Sequence, residues 1–533
     1  MTRSQLLGAA CALALLGLSS AAPLSAATPD NQLIIGMNLN NMLANDPHEV
    51  GQFEPGHVFA NVYDMLVDTD AEDPAKVVPA LAESWKINDD GSITFTLREG
   101  LKFHSGNPIT AADVVWSILR LMALNKSPSG ELKEWGFTAE NAGEVVTAID
   151  ARTVRFGQPK PINSQYRLYN LARPLGAVLD SKLLMEHEQN GDWGAAWLSK
   201  NSAGSGPFKL NRWQPNDIII LDRVDGYWGG DAKMRRVVIR HIPESQTQRL
   251  QLEQNDIDVG YTLSSADFEG LAKNPDVEIV KVPGGGFYYF GVSMKDPDLG
   301  KKEVRQALDY CIDYDGINKG IMTNYGIPWH NHVLQGLAGE LPNTKHTFDV
   351  ERCKADLAAA GYPNGMKKNL KVLSVPPFRE IATAVQASLG KAGVEVDIEM
   401  GDGGQVYGAA RNQAYEMIVG RSGSGYIPDP HDVLQSNVYY PADGDTAKYP
   451  NLTAWRASWH VPEITTLIEQ ALAENDNDKR RDMYVKIQEL TAENVSWMYL
   501  ISQRIDPFAI HKRVKNYDAS ATWRPRWELV EKS

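Results

Sequence analysis

Cysteine, long apolar runs and clustered basic residues are all scarce in this sequence of 533 residues. There are three cysteines, and none of them lies in a CxxC pair or a Cys/His cluster, which argues against a cysteine-bound metal. Beyond the N-terminal region no apolar stretch approaches about eighteen residues, so nothing else is predicted to anchor the chain in a membrane. The net charge is −14 without any basic block, which argues against nucleic acid and anionic lipid as partners.

Motifs of catalysis and of phosphate or metal binding are also missing. The sequence contains no GxxxxGK phosphate loop and no GxSxG around Ser422 or Ser424, and His187 is followed by Glu but not by the second histidine of HExxH. His330 and His332 are spaced to lie on one side of a strand, but no further metal ligands accompany them. We therefore predict no catalytic residue, no metal site and no cofactor.

Residues 1–27 have the pattern of a secretory signal. Arg3 supplies the positive start, residues 6–18 form an apolar run too short to span a bilayer, and small residues precede a cleavage site after Ala27. The alternative is a buried N-terminal helix. Cys11 lacks the leucine expected three residues before a lipoprotein cysteine. The sequence therefore predicts a freely diffusing periplasmic protein.

Two cysteines, Cys311 and Cys353, remain after cleavage. Export to an oxidising compartment permits a disulfide between them, which would close a loop of about forty residues and add ~4 kcal/mol by the loop-entropy model. Both positions fall in predicted helices, where a buried free cysteine is common. The sequence leaves the two alternatives open. The mature chain of about 500 residues exceeds one core, so two or more lobes are expected.

The stretch 79–120 carries the most specific local pattern. Residues 88–91, Asn-Asp-Asp-Gly, predict a turn, and the alternation of apolar and polar residues over 93–97 predicts a strand with one buried face. Thr110 and Asp113 have the spacing of a capping box at the start of a helix. This unit by itself fits many α/β proteins.

The same stretch resembles the signature of the family 5 extracellular solute-binding proteins, the peptide, nickel and oligosaccharide receptors of bacterial ABC importers. The matching residues are Pro79, Leu81, Ala82, Ser84, Trp85, Asp90, Gly91, Leu97, Arg98, Gly100, Phe103, Gly106, Pro108, Thr110, Ala111, Asp113 and Val114. Further matches lie at residues 203–210, 225–228, 304–310 and 359–363. The resemblance thus runs from about residue 33 to about residue 517.

The resemblance implies a class II, cluster C type periplasmic binding protein: an α/β protein of two lobes with a hinge and an extra subdomain. Residues 370–373, 379–391 and 394–398 read as a βαβ unit within it, and the chain is expected to cross between lobes near residues 284 and 497. The expected divisions are 28–72, 200–283 and 498–533 for lobe 1, 73–199 for the extra subdomain, and 284–497 for lobe 2.

The function implied by the resemblance is that of a receptor, not an enzyme. It would capture a small polar solute, foremost a peptide or peptide-like compound, and deliver it as a monomer to ABC permease subunits in the inner membrane. An oligosaccharide, an opine-type conjugate and a metal chelate are alternative ligands. A periplasmic chaperone and a secreted hydrolase are more distant alternatives.

The ligand site is expected at the end of the strand near residues 420–429. In peptide-binding relatives this loop holds an aspartate, just before Asp-Pro, that pairs the ligand's amino group; here Tyr426-Ile427-Pro428 precede Asp429. Dipeptide binders also have an Arg-Pro-Tyr whose arginine serves the ligand carboxylate, where this chain has Leu-Ser-Val-Pro-Pro-Phe at 373–378. A dipeptide held at both charged termini is therefore not expected.

Individual site residues rest on weaker patterns. Arg421 suits an anionic ligand group, or equally a structural ion pair. Two tryptophans in a looser segment suit stacking, and two asparagines follow the first strand at the sheet edge where ligands collect, although a plain polar loop fits them as well. The predicted ligand-binding residues are Asn38, Asn40, Arg421, Ser422, Gly423, Ser424, Tyr426, Asp429, Trp455 and Trp459.

Overall fold

The computed structural model describes residues 27–40, 42–50, 53–423, 426–518 and 522–533. The predicted signal sequence up to residue 26, with Cys11, lies outside the described residues. Within the part that is described, no helix combines the length and the apolar character needed to cross a membrane.

The strands of the described chain are numbered in order. They are β1 Gln32–Met37, β2 Val67–Thr69, β3 Val77–Pro79, β4 Ala82–Ile87, β5 Ile93–Leu97, β6 Val146–Ala148, β7 Thr153–Phe156, β8 Phe208–Gln214, β9 Ile218–Arg223, β10 Arg236–His241, β11 Val259–Gly260, β12 Val277–Val292, β13 Gly326–Ile327, β14 Met366–Leu373, β15 Val394–Gly401, β16 Met417–Arg421, β17 Met498–His511, β18 Val514–Lys515 and β19 Glu531–Lys532.

The helices are numbered in the same way. They are α1 Phe53–Val62, α2 Ala111–Leu124, α3 Ser129–Glu134, α4 Ala142–Val145, α5 Ser164–Leu171, α6 Ser181–Glu186, α7 Ala195–Leu198, α8 Ser245–Glu253, α9 Ser265–Leu271, α10 Lys302–Tyr310, α11 Tyr314–Gly320, α12 Val350–Ala359, α13 Phe378–Lys391, α14 Gly403–Arg411, α15 Pro430–Val438, α16 Thr453–Ala457, α17 Pro462–Ala473 and α18 Asn477–Glu493. Short 3₁₀ turns lie at Pro174–Gly176, Met322–Asn324 and Trp527–Leu529.

One sheet runs through both halves of the molecule. Across the described residues its order is β15-β14-β16-β12-β17-β11-β1-β10-β9-β8, with the short β13 paired to β17. We call the half formed by β8–β11 and β1 lobe 1, and the half formed by β14–β16 lobe 2. The long strands β12 and β17 pair antiparallel along their length and join the two halves. The predicted two-lobed α/β architecture is confirmed.

Parallel pairing identifies the crossover units in each lobe. Strand β1 runs parallel to β10 and β11, and β14 runs parallel to β15 and β16. Helix α13 connects β14 to β15 and packs on them, so the predicted βαβ unit is confirmed. Parallel strands need such a crossover because the chain must return to the same end of the sheet.

The two crossings between the lobes lie side by side in the sheet. On β12 the register shifts between Pro283 and Phe287, and the partner residues on β17 are 503–505. The side chains of residues 498–501 pack in the cores of lobe 2, whereas Phe508 packs in lobe 1. Strand β17 is therefore shared by both lobes, and the domain limits expected from the sequence stay predictions.

The sheet of lobe 2 is buried on both faces. Along β12, Tyr288 and Phe290 belong to one hydrophobic cluster, while Phe287 and Tyr289 belong to another on the opposite face. Helices cover both sides, as in other α/β sheets whose strands read as continuous apolar runs. This burial holds the crossing strands rigidly inside lobe 2.

The signature stretch contributes β4 and β5 to a separate four-stranded sheet, ordered β4-β5-β7-β6, which with α2–α5 forms the extra subdomain. Ile93, Phe95 and Leu97 are fully buried in its core, as the alternation predicts. The capping box is also present: the Thr110 backbone N–H and hydroxyl both donate to Asp113 at 2.8 Å. The predicted turn, strand and capped helix are confirmed.

Cys311 and Cys353 form a disulfide. Cys311 follows α10 and Cys353 lies in α12, and their Cα atoms are 5.5 Å apart, within the range that a disulfide requires. Both side chains are buried in a core of lobe 2. The structure thus decides the alternative that the sequence left open.

Candidate ligand-binding cleft

A cavity of about 290 Å³ lies where the two lobes meet. Lobe 1 contributes residues 68–74, the end of β2 and the loop that follows it, and the crossing strand contributes Val282 and Pro283. Gln335 and Tyr426 face the cavity from lobe 2. The last segment of the chain supplies Asp518, Thr522, Arg524 and Arg526, of which we call the three charged residues the C-terminal wall.

The extra subdomain reaches across to lobe 2 and contacts it. The Asn163 backbone N–H donates to Leu472 O at 2.6 Å, and its side-chain amide donates to Glu474 O at 2.8 Å. The Gln435 side chain of lobe 2 donates to Glu134 of the subdomain at 2.9 Å. We call this set of contacts the clasp. It fixes the subdomain and lobe 2 in a closed arrangement.

Ion pairs organise the C-terminal wall. The Arg524 Nη1 atom lies 2.8 Å from Asp68 Oδ1, and the Arg526 Nε atom lies 2.9 Å from Glu528 Oε1. Asp518 has no basic group within 4.0 Å among the described residues. Burial raises the pKa of Asp518 to about 6, with Arg526 and Arg524 acting against this shift and Glu528 and Asp68 adding to it. Both arginines of the wall are therefore paired with carboxylates outside it, and Asp518 is left without an ion pair.

Arg421 lies on the lobe 2 side of the strands that cross between the lobes. It is the last residue of β16, its side chain is exposed, and its backbone N–H donates to the Tyr407 hydroxyl at 3.3 Å. Its guanidinium lies within electrostatic reach of Asp506 and Glu54, both of which belong to lobe 1. Arg421 of lobe 2 thus faces charges of the opposite lobe across the cleft.

Comparison with known proteins adds to this geometry. The profile described as "Bacterial extracellular solute-binding proteins, family 5 Middle" matches residues 76–445. The chain belongs to this family. The resemblance expected from the sequence is therefore confirmed, and the members of this family are solute receptors rather than enzymes.

Two relatives from Escherichia coli match this chain over most of its length. The protein named "Probable D,D-dipeptide-binding periplasmic protein DdpA" is 26% identical over 497 residues, 92% of each chain. The "Dipeptide-binding protein" is 25% identical over 474 residues, 85% of this chain and 86% of that one. The solved Helicobacter pylori periplasmic binding protein DppA, in complex with the peptide STSA, superposes with a TM-score of 0.78 at 25% identity, covering 94% of this chain and 98% of that one.

The loop at the end of β16 contacts β12, one of the two strands that cross between the lobes. The Ser422 N–H donates to Phe287 O at 2.9 Å, and its hydroxyl accepts from Phe287 N at 3.3 Å. Gly423 has a φ of +80°, and a Cβ there would lie 1.6 Å from Gly285 O. These residues hold two backbone segments in direct contact. Ser424 lies outside the described residues.

Tyr426 and Asp429, close in sequence, are placed differently. Tyr426 is half-buried and lines the cavity, and burial raises the pKa of its hydroxyl to about 12. The Asp429 carboxylate is buried in lobe 2, where Arg480 donates to both of its oxygens, at 2.5 and 3.1 Å. One of those oxygens also accepts from the His431 N–H at the start of α15. The oxygens of Asp429 are therefore occupied within lobe 2.

The remaining predicted residues lie away from the cavity. Trp455 and Trp459 are 5% and 3% exposed, and the Trp455 indole donates to Gly444 O at 2.7 Å. Asn38 and Asn40 follow β1, where the Asn38 side chain accepts from the Asn40 N–H at 3.0 Å. Of the predicted residues that the structure describes, Tyr426 lines the cavity and Arg421 faces the cleft, whereas the others do not meet there.

His330 and His332, which are separated by one residue, have different surroundings. His330 contacts Leu500 O through Nδ1 at 2.7 Å, and burial lowers the pKa of His332 to about 4. Within the described residues, no three acidic, histidine or cysteine side chains are grouped in a way that could hold a metal ion.

No sequence motif indicated the charged residues of the cavity. The loop 68–74 and the C-terminal wall are more than four hundred positions apart in the chain, and neither forms a recognised motif. The one local signal is arginine at every second position, 524 and 526, between Trp523, Pro525 and Trp527. Such alternation places Arg524 and Arg526 on the same side of an extended segment.

Proposed function

We propose that this protein is the periplasmic receptor of an ABC importer, capturing a peptide or peptide-like solute between its lobes and delivering it to permease subunits in the inner membrane. The cavity of about 290 Å³ carries this proposal, because both lobes line it and the clasp holds them together. Enclosed sites with a few placed polar groups are typical of small-ligand binding. Opening of the clasp would then admit and release the solute.

The names of the relatives support a peptide as the ligand class. Both E. coli proteins are named for dipeptides, and the solved H. pylori protein holds a tetrapeptide. The finer features remain proposals: cleavage after Ala27, action as a monomer in the periplasm, and contact of Tyr426 and Arg421 with the ligand. An oligosaccharide, an opine-type conjugate or a metal chelate are the competing ligands.

Native mass spectrometry of the protein purified from the periplasm tests this function. We expect a bound mass that is released on denaturation and is identified by fragmentation as a peptide or peptide-like compound. The control is the same protein after unfolding, dialysis and refolding, which should lose this mass and regain it from a synthetic peptide mixture.

Two results would contradict the proposal. Release of a sugar, an opine or a metal chelate would show that the ligand is not a peptide, while the receptor role would stand. Cleavage of added peptides, or stable capture of an unfolded protein, would replace the receptor role itself.

A further inference from the structure

The charges around the cavity do not balance. Three carboxylates, Asp68, Asp518 and Glu528, meet two guanidiniums, Arg524 and Arg526. Arg524 pairs with Asp68 and Arg526 pairs with Glu528, at 2.8 and 2.9 Å. Asp518 is left without an ion pair in the described structure, and it lines the cavity. Asp518 thus presents an unpaired carboxylate to any bound solute.

The other walls supply no positive charge that would balance Asp518. From lobe 2 the lining residues are Gln335 and Tyr426, both neutral. From lobe 1, Asp70 and Glu72 add carboxylates of the same sign. Asp70 is partly engaged, since it accepts two backbone N–H groups of its own turn at 2.9 and 3.2 Å. The solute therefore meets an acidic cavity, in which Glu72 is exposed to solvent and Asp518 is the half-buried carboxylate without an ion pair among the described residues.

Lobe 2 offers no competing anchor for a cation in the loop where the sequence analysis sought one. Asp429 is already bound by Arg480 and by the start of α15. Asp518, in contrast, comes from lobe 1. A ligand group held by Asp518 would therefore be fixed by the lobe opposite to Asp429.

We propose that Asp518 binds a protonated amino group of the solute. An ammonium group has three N–H donors and forms charge-assisted hydrogen bonds with a carboxylate, which are stronger than neutral ones. A half-buried carboxylate without a partner is costly, and an incoming cation removes that cost. This inference rests on the proposed function, and it narrows the solute to one that carries a free amine.

The titration of Asp518 gives the proposal a pH signature. Because burial holds its pKa at about 6, Asp518 is mostly protonated at pH 5 and ionised at pH 8. The ammonium group needs the ionised form, so the contribution of Asp518 should make binding about tenfold tighter at pH 8 than at pH 5. The groups that face Asp518 are Arg524, Arg526, Glu528 and Asp68.

Calorimetry with two matched peptide pools tests the inference. One pool contains unmodified synthetic di-, tri- and tetrapeptides, and the other contains the same peptides with acetylated N-termini. We expect the wild-type protein to bind the unmodified pool, and Asp518→Asn to bind it at least tenfold more weakly at pH 8 but about equally at pH 5. Asp89→Asn, at an exposed turn of the extra subdomain, is the matched control and should bind like wild type. Thermal melts establish that each variant is folded.

The outcomes separate this inference from the proposed function. Equal binding of acetylated and unmodified peptides, or an unchanged affinity in Asp518→Asn, overturns the role of Asp518 while peptide capture stands. If wild type binds neither pool, the peptide function fails, and the role of Asp518 falls with it.

Discussion

Arg480 and Asp429 form an ion pair in the interior of lobe 2, with the two side chains 8% and 4% exposed. Removing one member of a buried pair leaves the other charge without a partner, which typically costs about 3–5 kcal/mol. We therefore expect Arg480→Ala to lower the free energy of unfolding by that amount. Arg481→Ala, at the next position in the same helix, removes an exposed arginine and should change it by less than about 0.5 kcal/mol.

Urea denaturation followed by circular dichroism measures both variants. If Arg480→Ala unfolds at the same urea concentration as Arg481→Ala, the pair contributes nothing to the fold, and Asp429 becomes available as a ligand-binding residue. A large loss confined to Arg480→Ala supports a structural role for Asp429.

Residue types alone could not distinguish a structural aspartate from a ligand-binding one. Asp429 follows a strand end near the expected site, which made it a candidate, but its partner Arg480 is fifty-one positions away and no local pattern joins them. Asp518 is the reverse case, since nothing in its sequence neighbourhood indicates a cavity. Tyr426 was identified because it lies in the loop that the resemblance already marked as the site.

The crossing between the lobes depends on close backbone contact at Gly423. A Cβ at this position would lie 1.6 Å from Gly285 O, and the backbone φ is +80°. Gly226, at an exposed turn with a φ of +74° and nothing within 4 Å of its Cβ position, is the matched control. We expect Gly226→Ala to cost about 1 kcal/mol from its φ alone, and Gly423→Ala to cost a further ~1–3 kcal/mol from the clash.

Thermal unfolding of the two glycine variants checks this difference. Equal melting temperatures for Gly423→Ala and Gly226→Ala would mean that the crossing relaxes without cost. A selective loss in Gly423→Ala would show that the contact between the two backbone segments is rigid.

The disulfide between Cys311 and Cys353 joins α10 to α12 within lobe 2. The loop it closes spans 42 positions, and a loop of that size predicts a stabilisation of about 2–4 kcal/mol. We expect a reductant to lower the free energy of unfolding by that amount. A variant with alanine at both positions should not respond to the reductant. An unchanged stability in wild type, with both thiols free by chemical titration, would contradict this prediction.

The sequence predicted individual strands and helices better than it predicted which distant segments pack together. The alternation over residues 93–97 and the Thr110–Asp113 spacing are local, and each specified its strand or helix directly. The pairing of Cys311 with Cys353 and the sharing of β17 by both lobes depend on which distant segments meet. Spacing and periodicity do not determine such contacts, so the sequence left the disulfide open, and the domain limits it predicted stay predictions.

At the scale of the whole molecule, the closed arrangement rests on contacts between the extra subdomain and lobe 2. Asp432, in α15 of lobe 2, lies close to these contacts. Burial raises its pKa to about 6, with Arg173 opposing the shift and Glu131 and Asp429 adding to it. Arg173 and Glu131 belong to the subdomain, so the charge state of Asp432 is linked to closure.

The sign of this linkage follows from the raised pKa. Asp432 binds a proton more tightly in the closed arrangement than it would when exposed, so its contribution to closure is fully present below its ordinary pKa and is lost as the pH rises through about 6. We expect the ratio of closed to open ligand-free protein to be about tenfold higher at pH 5 than at pH 8. Small-angle X-ray scattering should show a larger radius of gyration at pH 8.

Two variants assign that pH dependence to a site. Asp432→Asn should reduce the change in radius of gyration, because the amide cannot titrate, and the remainder belongs to Glu134 of the clasp, whose pKa burial raises to about 7. Asp518→Asn should retain it, because Asp518 acts on the solute and lies on the C-terminal wall rather than at the clasp. If Asp432→Asn retains the change, closure does not depend on this carboxyl group. If the radius of wild type is the same at both values of pH, the clasp is insensitive to charge, and its backbone contacts through Asn163 are sufficient to hold the lobes together.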